Sequence, residues 1–177
     1  MQSSLFDLPP PPSDDNCEWY TPGFIVEGAR ATLGAIDLDP ASCDAANRVV
    51  KARSIYTVES NGLAQMWSGR VWMNPPYGRE LVEQFTEKLV SHFLAGDVTS
   101  ALCLTNNCTE TDWWGHIAFH AACVLFPSRR IPFWGPLAAK NGPRQGQTLF
   151  LLTEDLEIMR RFQKSFEGLG CIARVIA

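Results

Sequence analysis

Two adjacent prolines, Pro75 and Pro76, constrain this chain more than any other feature. Proline locks φ and has no backbone N–H, so a pair of them belongs neither in a central strand nor inside a helix. They separate the apolar run Arg70–Met73 from the stretch Glu80–Leu94, where Leu81, Phe85, Leu89 and Phe93 recur at helical spacing. The local order is therefore strand, abrupt Asn74–Gly78 loop, helix. Asp39–Pro40 interrupts the short strand candidate Ala35–Leu38 in the same way.

The remaining chain repeats this alternation. Thr21 reads as a helix cap and Pro22 as a first-turn proline, with the helix running through Leu33 to a stop at Gly34. Residues 41–69 read as irregular, with two short helices. Strands are expected at Val98–Leu104, Ala122–Phe126, Arg130–Phe133, Thr148–Leu152 and Cys171–Ile176. Helices are expected from Glu110 to His120 and from Glu154 to Phe166, with a long Gly/Pro-rich loop at Trp134–Gly146. Strands alternating with helices, several of them apolar throughout, predict an α/β three-layer sandwich around a mostly parallel sheet. Ligands of such sheets sit at the carboxyl ends of strands, where both proline-punctuated motifs fall.

A length of 177 residues suits one sizeable core and is short for two. The run Pro9–Pro12 and the following Ser13, Asp14 and Asp15 mark residues 1–16 as a disordered tail, with 17–177 as one domain. No apolar run approaches the ~18–20 residues of a membrane span, and no charged-then-apolar leader opens the chain. The expected location is cytoplasmic. The six cysteines form no CxxC pair, and Cys103, Cys108, His116 and His120 are too loosely spaced for a structural zinc site, so no metal is expected.

Asn74–Pro75–Pro76–Tyr77 carries the most specific chemistry. A planar conjugated NH2 is a poor nucleophile because its lone pair is delocalised into the ring. Two acceptors, one for each N–H, would localise that lone pair. The Asn74 amide oxygen can be one, and the Pro75 carbonyl, held by two rigid φ angles, the other. Tyr77 offers a flat face for an extruded base. The motif thus suits methylation of an amino group; a proline turn with a packed tyrosine is the plainer alternative.

Two further segments could hold the methyl donor. Asp37, Asp39, Pro40, Ala41 and Ser42 close a strand with carboxylates, which suits a cationic, ribose-bearing ligand, although Asp-Pro is also an ordinary turn signal. Trp19 and Tyr20 precede Thr21 and Pro22 at a helix start. They could staple the chain to the core, or Thr21 and the helix amides could hold a carboxylate. The formal net charge of −4 argues against a generic nucleic-acid binder. The local answer is Arg129, Arg130, Lys140 and Arg144, which fall within sixteen residues free of acids and interleaved with Phe133, Trp134, Asn141 and Gln145. Trp113 and Trp114 could form a base platform, though buried tryptophans are the commoner outcome.

Taken in order, Glu18–Pro22, Asp37–Ser42 and Asn74–Gly78 resemble the phage-type DNA N-6-adenine methyltransferases, the small Dam-like enzymes. The resemblance continues through Gly62–Leu63, Trp67, Arg70–Trp72, Leu104–Trp114, Ser128–Phe133 and Gly142–Leu152. It implies the S-adenosylmethionine-dependent methyltransferase (Rossmann-like) fold, a flipped DNA adenine as substrate, and Asn74, Pro75, Pro76 and Tyr77 as the amino-binding catalytic loop. It further implies that Trp19, Tyr20, Thr21, Pro22, Asp37, Asp39, Pro40, Ala41 and Ser42 line the S-adenosylmethionine pocket. A bacteriophage origin and protection against restriction accompany the resemblance. Where many methyltransferases place a glycine-rich turn after the first strand, this chain has Pro40–Ala41–Ser42–Cys43–Asp44, and no residue stands out as the ribose-binding acid expected at the end of the second strand, Glu59 being one candidate. The same loop would also suit a protein glutamine amide or an amino group on RNA. A non-catalytic nucleic-acid-binding or inhibitor protein is the reading from another class.

Overall fold

The structure is a computed structural model that describes residues 19–78, 80–134 and 145–176. The expected tail at 1–16 lies outside them. Seven strands form one sheet: β1 (Leu38–Asp39), β2 (Ser54–Ile55), β3 (Gly69–Met73), β4 (Val98–Asn106), β5 (Cys123–Pro127), β6 (Gln147–Leu152) and β7 (Gly170–Arg174). Their order across the sheet is β2-β1-β3-β4-β6-β5-β7. The helices of the described residues are α1 (Gly23–Leu33), α2 (Asp44–Val50), α3 (Leu81–Leu94), α4 (Asp112–His120) and α5 (Leu156–Ser165), with a 3-10 turn at Gly62–Ala64.

β2, β1, β3 and β4 pair in parallel. β6 does not follow: it is antiparallel to both β4 and β5, and β7 is antiparallel to β5. The sheet is therefore mixed, which corrects the expectation of a mostly parallel one. A strand covered by helices on both faces is apolar throughout whichever way it runs. β6, buried along its whole length, gives no sign of its direction in composition.

The alternation of β4 shows the layering. Leu102 and Leu104 face one side with Trp72, Leu149 and Leu151, packing on Ile25, Val26 and Leu33 of α1 and Phe162 of α5. Ala101 and Cys103 face the other with Val71, Met73, Phe150 and Leu152, packing on Phe85 and Leu89 of α3 and Ile117 of α4. Trp114 belongs to this second layer, edge-on to Phe150 at 5.2 Å between ring centroids. The helical stripe of α3 is rotated from that expected: Val82, Phe85, Thr86, Leu89 and Val90 are buried, while Leu81 is exposed.

Three other local expectations are revised. The cap of α1 is Pro22, not Thr21, and the helix starts at Gly23 with no side-chain cap bond. It ends at Gly34 with φ 82°, a conformation that favours glycine. Arg130–Phe133 form no strand; Trp134 instead makes an isolated antiparallel bridge with Tyr20. α5 begins two residues later than expected because Asp155 caps it, its carboxylate accepting from the N–H groups of Glu157 (2.7 Å) and Ile158 (3.4 Å). No helix of the described residues is long and apolar enough to cross a membrane.

Candidate active site

β1 has β2 on one side and β3 on the other, so the connections leaving its carboxyl end and that of β3 diverge. Such a switch point opens a crevice at the sheet edge. Asp39, Pro40, Ala41 and Ser42 leave β1 there, and Asn74, Pro75, Pro76 and Tyr77 leave β3 beside them. The two sequence motifs are neighbours in space.

Asp39 is 3% exposed. Burial pushes its carboxyl from 3.8 up to about 7, against the opposing pull of the Ser42 hydroxyl and the Ala41 amide. The Ala41 N–H lies 3.3 Å from its Oδ1. The Ser42 hydroxyl is near enough to act on the carboxylate electrostatically, yet it is buried with no hydrogen bond of good geometry. The turn is held from behind. The Ser42 N–H donates to the Tyr56 carbonyl at 2.9 Å. Gly62 packs so closely that a Cβ would lie 2.1 Å from the Pro40 carbonyl oxygen. Trp67, fully buried, donates its indole N–H to the Gly62 carbonyl at 2.8 Å. A glycine from another segment thus lets the chain pass close against the Pro40 turn. Along the chain Gly62 and Trp67 stand out only as part of the family resemblance, without a role of their own.

In the second motif, Asn74 is half-buried and Pro75 buried. The Asn74 Nδ2 donates to the Trp19 carbonyl at 2.7 Å. Its nitrogen is thereby committed, and Oδ1 is the part of the carboxamide left to accept. The Tyr77 hydroxyl donates to the Leu104 carbonyl at 3.1 Å and lies 3.4 Å from Asn74 Oδ1, tying the phenol edge to the end of β4.

The strap Trp19–Thr21 crosses this edge. Tyr20 and Trp134 exchange backbone bonds of 2.8 and 3.0 Å, their rings lie 5.0 Å apart, and the Trp134 indole N–H donates to the Thr21 carbonyl at 3.1 Å. Trp19 meets Phe133 edge-on at 6.3 Å, and the Cys43 thiol contacts the Tyr20 hydroxyl at 3.7 Å. Tyr20 and Thr21 are buried, and the Pro22 carbonyl accepts from the N–H groups of Ile25 and Val26 in α1. The stapling role is thus visible, and the strap also borders the crevice through Trp19.

Asp37 is placed differently. It precedes β1, at the opposite sheet edge, where Arg70 grips its carboxylate through Nε (2.7 Å) and NH2 (3.0 Å) and Arg53 adds a contact of 3.2 Å. The Arg70 side chain and backbone amide, with Arg53 beyond, hold its carboxyl below the usual range against the effect of burial. Its acceptor capacity is spent on the fold. Glu59 is exposed and takes the Thr57 hydroxyl at 2.6 Å, which lowers its carboxyl.

Arg129 and Arg130 follow β5 on the crevice edge and are exposed. Because β6 returns antiparallel, the β5–β6 connection begins and ends on this edge. Lys140 and Arg144 belong to that connection and lie outside the described residues. Buried Gln147 braces both its ends, accepting from the Ile131 N–H at 2.9 Å and donating to the Gln145 carbonyl at 2.6 Å. The α3–α4 side is acidic: Glu83, Glu87, Glu110 and Asp112 line a groove at the first turns of those helices. Among the described residues this groove is thus opposite in charge to the exposed Arg129–Arg130 side.

A family model for DNA N-6-adenine-methyltransferase (Dam) matches residues 11–167. No curated protein and no solved structure matches the chain.

Proposed function

The chain belongs to the DNA N-6-adenine-methyltransferase family, and from that premise we propose that it methylates the exocyclic amino group of an adenine extruded from DNA, with Asn74, Pro75, Pro76 and Tyr77 as the catalytic loop. The observation that carries this reading is the bond from Asn74 Nδ2 to the Trp19 carbonyl. It orients Oδ1 as the accepting end, beside the Tyr77 hydroxyl at 3.4 Å. Pro75 follows directly, and no backbone donor among the described residues takes its carbonyl. One adenine N–H goes to each oxygen, drawing the nitrogen lone pair out of ring conjugation. Methyl transfer to that nitrogen would leave it positively charged, and both oxygens would stabilise the charge until one of its protons is lost to solvent. Tyr77, its hydroxyl held by Leu104, presents the ring face on which the base stacks.

S-adenosylmethionine, when bound, supplies the electrophilic methyl group. The residues present fit such a ligand. A carboxyl pushed up to about 7 by burial gains from a cationic neighbour, and a buried hydroxyl without a bond gains from a polar one; Asp39 and Ser42 supply these side by side. The pocket is assigned to Trp19, Tyr20, Thr21, Pro22, Asp39, Pro40, Ala41 and Ser42, with Asp37 left to Arg70. Arg129 and Arg130, with Lys140 and Arg144, are assigned to DNA phosphates.

The test is Asn74→Ala. Turnover on an adenine-containing duplex is expected to fall about 10²–10³-fold, the cost of removing one group that stabilises charge in the transition state, while cofactor binding measured by calorimetry survives. Unchanged turnover would refute the catalytic assignment. Labelled cofactor offered to DNA, RNA and protein fractions separates this reading from the glutamine and RNA alternatives.

A further inference from the structure

We infer that Trp134 is a positioning residue for the reaction, acting on Asn74 through the strap Trp19–Thr21. The inference rests on the proposed role of Asn74. A carboxamide has a broad terminal torsion that scarcely distinguishes oxygen from nitrogen. Only its partners decide which end faces a substrate. Turned the wrong way, Asn74 would point N–H at N–H and lose its function. Two contacts resist this, the 2.7 Å bond from Nδ2 to the Trp19 carbonyl and the longer one from the Tyr77 hydroxyl to Oδ1 at 3.4 Å, and the first is the shorter and stronger.

That carbonyl belongs to the described stretch 19–22, which forms no helix and only a single bridge. What holds it is Trp134: two backbone bonds to Tyr20, a ring 5.0 Å from that of Tyr20, and the indole N–H on the Thr21 carbonyl. Phe133 adds the edge contact to Trp19. The orientation of the amide is thus set by a residue sixty positions further along the chain, which need not touch the adenine. Trp134 also closes the segment that carries Arg129 and Arg130, so one element borders both the basic surface and the strap.

The experiment combines Trp134 variants with Asn74→Asp. Trp134→Phe retains a ring and the backbone bridge and removes only the indole donor; Trp134→Ala also removes the stacking. Asn74→Asp keeps an acceptor oxygen but has no N–H for Trp19, so its reactivity should not respond to the strap in this way. Single-turnover methylation of an adenine-containing duplex is expected to slow about 3- to 10-fold in Trp134→Phe, as the loss of one neutral hydrogen bond implies, and further in Trp134→Ala. In the Asn74→Asp background the Trp134→Phe effect should shrink below about twofold, because residues acting through one group are not additive. Equal slowing in both backgrounds, or none with Asn74 present, overturns the inference. The side-chain amide of Asn74, followed by 15N NMR, gives a readout free of turnover. Its NH2 signals should shift and its rotation quicken in Trp134→Phe, and unchanged signals overturn the inference too. A wild-type protein that shows the NMR coupling and transfers no methyl group to DNA would instead sink the proposed function alone.

Discussion

Replacing Asp39 by asparagine should make the ligand-free protein more stable and, at the same time, less able to hold its cofactor. Burial raises the Asp39 carboxyl from 3.8 to about 7, and at about 1.4 kcal/mol per pH unit the ionised form costs the native state at most about 4 kcal/mol. The sign follows from linkage. The folded protein binds this proton more tightly than the unfolded chain, so the group's contribution to stability is greatest in acid and declines as pH rises through the window from about 4 to 7. The uncharged carboxamide of the variant suffers no such loss. The stability gain of Asp39→Asn over wild type should therefore grow between pH 4.5 and pH 8.5 by up to about 3 kcal/mol, or on the order of 10 °C in Tm for a domain of this size. A cationic ligand reverses the balance by neutralising the carboxylate. Wild-type affinity for S-adenosylmethionine should tighten as pH rises toward 7, with proton release on binding, and the variant should lose both the affinity and its pH dependence. Paired thermal melts and calorimetric titrations across that pH range measure both quantities. A stability difference independent of pH refutes the buried-acid argument, and wild-type cofactor affinity in Asp39→Asn refutes the assignment of the acid to the cation.

Gly62→Ala places a methyl group 2.1 Å from the Pro40 carbonyl oxygen; stability should drop by about 1–3 kcal/mol with a larger loss of cofactor affinity, and wild-type values in both would show that this contact does not hold the turn. Arg70→Ala should cost about 1–3 kcal/mol at pH 7 by stripping Asp37 of charged hydrogen bonds, with cofactor binding intact. Asp37 has a lowered pKa, so the stabilisation it gains is present above its unfolded value and disappears as pH falls through the folded one. Denaturation curves of variant and wild type should accordingly converge in acid, below the folded-state pKa, and a constant gap would count against the pairing. Arg129→Ala should weaken DNA binding about equally across sequences and reduce the slope of log affinity against log salt by about 1; an unchanged slope removes Arg129 from the interface.

Much of this protein was legible along the chain, and the reason is steric. Pro75–Pro76 ends β3 because two fixed φ angles admit no other continuation, and Gly34 ends α1 because its φ of 82° suits no larger residue. The apolar runs that became β3, β4 and β6 were visible, as was the placing of two motifs on one sheet edge. What no local pattern encodes is direction and partnership. A strand buried on both faces looks the same run forward or backward, so β6 was read with the wrong sense. A carboxylate looks alike wherever it stands, so Asp37 and Asp39 read as one set until folding paired the first with Arg70 and buried the second with no cation beside it among the described residues. The contacts that orient the site, Trp19 with Asn74, Tyr20 with Trp134 and Gly62 with Pro40, join segments distant in sequence. Each arises only when packing of the whole sheet brings their backbones within hydrogen-bonding or van der Waals range, and at that point geometry rather than residue type decides which atom meets which.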